Sequence, residues 1–174
     1  MKKSISSWQV AGFIFTSVLG TFMHFLYSLS GENRLVAVFS AVNESTWEHM
    51  KLIFYPMLFF ALFERLFVKE NGFWCIKAIG IMTGTFLIPV LFYTIGGAFG
   101  KTPDFVNIAI FFLSAFFAFV LEARLLEMDV SCYRGKTFAI LIILLLAVMF
   151  AVFTFKTPEL PIFLDPVSGS YGIM

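Results

Sequence analysis

Thr137-Phe138-Ala139-Ile140-Leu141-Ile142-Ile143-Leu144-Leu145-Leu146-Ala147-Val148-Met149-Phe150-Ala151-Val152-Phe153-Thr154-Phe155 is a run of 19 residues without a charge, a proline or a glycine. As a helix it rises roughly 28 Å, close to the ~30 Å hydrocarbon core of a bilayer. Four comparable stretches precede it. Together they predict an all-α fold, a polytopic transmembrane helix bundle of about five spans, at residues 8–29, 46–68, 73–95, 105–126 and 137–155. Barrel strands would alternate apolar and polar side chains at every second position, and these runs do not. A helix satisfies its own backbone in lipid, so a phenylalanine-rich stretch can cross as one.

Composition agrees. The chain is 60% hydrophobic with 25 phenylalanines, and 12 basic and 11 acidic residues cannot supply the charged coat of a water-soluble domain. Its mean hydropathy is +0.92. The lipid bilayer is the expected partner; no basic stripe marks a nucleic-acid surface. Residues 1–174 are read as a single transmembrane domain, with residues 156–174 as an outer C-terminal tail. Lys2 and Lys3 before an apolar run resemble a signal peptide, but the run is too long and lacks a small-x-small cleavage site, so a retained first helix is expected.

Five spans place the termini on opposite sides. One side collects Lys2, Lys3, Arg65, Lys69, Lys77, Arg124, Arg134 and Lys136, the other Arg34, Lys51, Lys101 and Lys156. The richer side is expected to be cytoplasmic, giving a multi-pass cell-membrane protein with its N-terminus inside and its C-terminus outside. Residues 35–42 are apolar but too short to span and are read as interfacial or re-entrant. Cys75 and Cys132 fall beside the cytoplasmic loops, where reduced thiols are the rule.

Local signals punctuate the spans. Ser45-Thr46-Trp47-Glu48 is a capping box, in which each end residue's side chain bonds the other's backbone N–H, so the second span should begin at Thr46. Pro56 predicts a bend within it. Gly80 and Gly84 permit close helix contact. Pro89 should bend or end the third span, with a flexible turn at Gly96-Gly97-Ala98-Phe99-Gly100.

The chain contains two histidines. His49 closes the run Asn43-Glu44-Ser45-Thr46-Trp47-Glu48-His49, dense in polar groups between apolar stretches, where such groups are costly and usually mark function. The predicted topology brings His24, Glu44, Glu48 and His49 to one outer layer, and Asp165 of the tail returns to it. Two imidazoles and three carboxylates are suitable ligands for a divalent metal such as zinc, manganese or iron. Their spacing matches no established metal signature. Simpler roles are open to the same residues: Glu48 as a cap, Glu44 beside the positive helix end, Trp47 as an interfacial anchor, His49 wetted at the interface, and His24 hydrogen-bonded to a neighbouring helix.

The tail carries Pro158, Pro161 and Pro166, which forbid a regular helix, and Asp165-Pro166-Val167-Ser168-Gly169 has turn chemistry. Its apolar Leu160, Ile162, Phe163 and Leu164 suggest either a lid over the outer mouth of the bundle or a turn on the membrane surface. Glu64 with Arg65, and Glu122 with Arg124, read as structural pairs near cytoplasmic helix ends. Tyr93 and Asn107 are placed to add polar lining across the turn between the third and fourth spans.

Asn43-Glu44-Ser45-x-Trp47-Glu48-His49-x-Lys51 and Pro161-x-Phe163-x-Asp165-Pro166-x-x-Gly169-x-Tyr171-Gly172 resemble an uncharacterised family, a domain of unknown function, of small bacterial multi-pass membrane proteins. The resemblance implies no activity, substrate or cofactor. Two functions fit the residues: a metal-dependent membrane hydrolase acting on a lipid or envelope substrate, or a non-enzymatic small-molecule-binding membrane protein such as a transporter subunit or sensor.

Overall fold

The computed structural model describes residues 2–70, 72–100, 103–128 and 135–173. Among them the chain forms α1 (Lys2–Leu29), the short α2 (Arg34–Ala37), α3 (Thr46–Glu64), α4 (Phe73–Phe99), α5 (Asp104–Glu127) and α6 (Lys136–Phe155), then a 3-10 turn at Pro161–Phe163. The fold is all-α, and the only pairing of strand type among the described residues is an isolated antiparallel bridge between Leu164 and Tyr171. Four helices are long and apolar enough to cross a membrane: Ser7–Leu29 of α1, α4, α5 and α6.

The remaining long helix, α3, is the axle of the bundle. Fourteen of its 19 residues are buried, including Glu48, Lys51 and Glu64. It packs against α1 and α4, α5 closes against both of those, and α6 lies on α4. That position explains why α3 has no polar stripe and yet carries charge: its charged groups are paired inside protein rather than exposed on the surface of the bundle. The outer helices instead turn apolar side chains outward, among them Val18, Phe105, Leu141 and Leu145.

Helix boundaries follow local chemistry. Ser45 is the N-cap of α3, extended at φ −67° and ψ 152°, and its side chain accepts the Glu48 N–H. The reciprocal half of the capping box is replaced: the Ser45 N–H donates to Asn43 Oδ1 at 2.9 Å, and the Glu48 carboxylate accepts from the Val42 N–H at 3.0 Å. Neither Pro56 nor Pro89 ends its helix. Helix α4 runs on through Gly96 and Gly97 and stops at Gly100, whose φ of 78° breaks it. Gly80 and Gly84 form the contact with α5: a Cβ on Gly80 would strike the Glu122 side chain, and one on Gly84 would sit 3.0 Å from the Ala118 Cβ.

Residues 35–42 do not cross the bundle; α2 and the turn after it bury Ala37, Ser40 and Ala41 beside α3. Trp47 is buried rather than an interfacial anchor, its ring centroid 4.7 Å from Phe150 and 4.8 Å from Phe163. Cys75 is disulfide-bonded, against the reduced thiol expected of it, and Cys132 lies outside the described residues.

Replacing Ser45 with alanine removes the side-chain acceptor at the start of the central helix. A loss of about 1 kcal/mol of stability is expected, measured by thermal unfolding in detergent against the wild type.

Candidate metal centre

His24 projects from the last turns of α1, His49 from the first turn of α3, and Glu44 from the loop just ahead of the Ser45 cap. The structure brings these three together. Glu44 Oε2 lies 3.5 Å from His24 Nε2 and 3.6 Å from His49 Nε2, and the two imidazole centroids are 5.3 Å apart at an interplanar angle of 62°. One potential ligand atom from each falls within 4.8 Å of the other two. The two shorter separations are near the edge of a tetrahedron around zinc, about 3.4 Å for metal–ligand bonds of ~2.0–2.1 Å.

The tautomer of His49 follows from its partner. Its Nδ1 lies 2.9 Å from the carbonyl oxygen of Ser45. A carbonyl only accepts, so Nδ1 carries the proton and Nε2 turns its lone pair toward Glu44. This is the usual outer-shell arrangement of a metal-binding histidine. The carboxyl of Glu44 is held below its ordinary range, chiefly by the hydrogen bond from His24; burial opposes this, and the charges of His49 and His24 add to it.

The other two candidate ligands are engaged elsewhere. Glu48 is buried and ion-pairs with Lys51 Nζ at 2.5 Å. Asp165 organises the tail: its Oδ1 accepts the Val167 N–H at 2.8 Å and its Oδ2 the Ser168 hydroxyl at 2.7 Å. Both residues hold the site without joining its cluster. The Lys51 ammonium also donates to the Ala37 carbonyl at 2.8 Å and to the Thr154 hydroxyl at 3.0 Å. Since Glu48 also takes the Val42 N–H, this clamp fixes both ends of residues 37–42, the segment that leads into Glu44.

The tail lies against the same region. Asn43 Nδ2 donates to the Gly172 carbonyl at 2.9 Å, and Phe163 packs on Trp47 and Phe153. Two cavities meet at the cluster. One, of about 510 Å³, runs between α4 and α5 past Ile88, Phe92 and Ile110. The other, of about 540 Å³, runs between α1 and α5 past Thr21, Phe25, Ile108 and Phe112. Glu44, His49, Asp104, Asn107, Phe111 and Val167 border both. Val167 thus places the tail at both mouths, in keeping with a lid. Asn107 lines both cavities and Tyr93 lines neither. Asp104 and Lys51 are missed by the sequence reading. An acidic residue opening a helix looks like an ordinary dipole partner, and a lysine near a span end looks solvated; the signals for Lys51 were its place inside an apolar run and in the motif that ends with it.

The clamp makes a prediction of its own. Lys51→Met should destabilise the protein by about 3–5 kcal/mol, because it leaves Glu48 charged and unpaired in the interior. Lys51→Met combined with Glu48→Gln should recover much of that loss in the same thermal assay.

No curated protein and no solved structure matches the chain. A family described only as a family of unknown function, DUF6512, matches residues 1–173. The chain belongs to the DUF6512 family.

Proposed function

We propose that His24, Glu44 and His49 form a mononuclear divalent-metal centre, with zinc the best fit, in a membrane hydrolase acting on a lipid or other envelope amphiphile. The observation that carries this reading is the convergence of two imidazole Nε2 atoms on one carboxylate oxygen at 3.5 and 3.6 Å. Two histidines and one carboxylate leave a fourth position for water, whose pKa a bound zinc lowers to about 7. The water oxygen would add to an ester carbonyl or phosphoryl centre, the ester bond would break, and the leaving oxygen would take a proton. The largely apolar walls of both cavities suit the chain of an amphiphile, while Asp104 and Asn107 offer polar contacts to its head.

A second reading rests on the same cavities, whose volumes suit a small molecule: a non-enzymatic binding protein. Turnover separates the two, since a binding protein would retain a bound amphiphile without cleaving it.

The metal is tested directly. Elemental analysis of the purified protein should find about one divalent ion per chain. His24→Ala and His49→Ala should each lower that content at least tenfold, with Glu159→Ala unchanged. Wild-type protein without metal after equilibration with zinc would end the reading.

Acidification should release the ion. The imidazoles protonate first, in the range of histidine rather than of a carboxyl group. Glu44, whose carboxyl is held low, stays ionised until the pH falls further, so its contribution is lost last. A release midpoint in the carboxylate range instead of the histidine range would contradict this order.

The same proposal puts the site on the outer face. Lys51 and Lys77 are buried and drop out of the loop count, which leaves seven basic residues on the inner side (Lys2, Lys3, Arg65, Lys69, Arg124, Arg134, Lys136) against three outside (Arg34, Lys101, Lys156). The disulfide at Cys75 opposes this orientation, because such bonds persist on the oxidising side. Reporter fusions should read the N-terminus inside and the C-terminus outside; both ends on one side would overturn the five-span arrangement.

A further inference from the structure

At the end of the bundle away from the metal cluster, three helices bring charge into the interior. Glu64 ends α3, Lys77 lies in the second turn of α4, and Glu122 lies near the end of α5. None is more than 2% exposed. The Lys77 ammonium sits 2.5 Å from Glu64 Oε2 and 2.5 Å from Glu122 Oε2. Phe60, Phe73 and Phe119 surround it with ring centroids 6.0, 5.6 and 5.9 Å away. From α1, Gln9 Nε2 donates to Glu64 Oε1 at 3.4 Å. Arg65 is turned aside, donating to the Val68 carbonyl at 2.7 Å with its guanidinium over Phe73.

One cation faces two carboxyl groups. With all three ionised, the triad would hold a net negative charge in the buried interior, which is strongly disfavoured. The hydrogen bonds say which carboxyl is relieved of its charge. Glu64 Oε1 accepts from Gln9, and its Oε2 faces the Lys77 ammonium as an ion pair without a hydrogen bond. Glu122 has Lys77 at Oε2, but its Oε1 is buried with no partner. An orphan oxygen costs far more on an anion than on a neutral acid. Gly80 leaves room for that side chain and no more, since a Cβ there would collide with it.

We propose that the Glu64–Lys77–Glu122 triad is an intramembrane proton-binding site, with Glu122 held as the neutral acid and Glu64 as the anion that balances Lys77. The ligand is a single proton. It is independent of the metal centre, which lies at the opposite end of α3.

Infrared difference spectroscopy on the intact protein in lipid nanodiscs tests this. At neutral pH the wild type should show the carbonyl stretch of a protonated carboxyl, shifted in heavy water. The band should vanish in Glu122→Gln with the thermal midpoint little changed. It should also vanish in Glu64→Gln, because Glu122 must then ionise to balance Lys77, and here the midpoint should fall. In Lys77→Met both carboxyls lose their cation and the band should double. Wild-type protein without the band, or a band that survives in Glu122→Gln, would overturn the proposal, and the wild-type spectrum alone decides if a variant fails to fold. A sodium-dependent thermal midpoint in place of the band would assign the balancing charge to a metal cation and overturn it equally.

Discussion

Lys51 is the constraint on which the half of the molecule around Glu44 depends. Its ammonium has three N–H donors and meets three acceptors: the Glu48 carboxylate on its own helix, the Ala37 carbonyl at the end of α2, and the Thr154 hydroxyl near the end of α6. No donor is wasted and no water is needed. The loop leading to Glu44, the central helix and the last helix are therefore fixed relative to one another by one side chain. Lysine suits this role because its three donors point to separate elements, whereas the flat guanidinium of arginine would favour one bidentate partner.

The two ends of α3 solve the problem of interior charge differently. Near its start Lys51 meets one carboxylate and two neutral acceptors, so the charges cancel. Near its end Lys77 meets two carboxylates, and cancellation needs one more positive charge. Both clusters sit on the helix with the least contact with the surroundings, and both join helices distant in sequence. Specific polar pairing of this kind fixes how helices register against one another where apolar packing alone is permissive.

The helices were largely legible because long uninterrupted apolar runs declare a helix of spanning length and capping imposes a start. Thr46 opens α3 as Ser45 foretold, and four of the apolar runs are helices of spanning length. His24, Glu44 and His49 do meet, as residues at the end of α1 and the start of α3 that share one layer, whereas Glu48, expected beside them, pairs with Lys51. Pairing was not legible. Glu64 and Glu122 looked matched to Arg65 and Arg124, their neighbours in sequence, yet both meet Lys77 from another helix. Local periodicity tells which residues share a helix face and nothing about which faces meet. The far end of α4 was misjudged for a related reason: Pro89 and the glycine pair weaken a helix in isolation, but packing against α3 and α5 outweighs that preference.

The bond from Asn43 to Gly172 joins residues 129 positions apart. On a ribosome adding about 5–20 residues per second, roughly 6–26 s separate the synthesis of its two ends. During that interval His24, Glu44 and His49 already exist as nascent chain, while neither the tail that carries Val167 nor the α6 hydroxyl that helps hold Lys51 has been made. The pocket is therefore the last part of the molecule to mature. An ion or amphiphile captured before the tail arrives would be enclosed by it, so the order of biosynthesis makes loading during translation a route that the finished protein narrows.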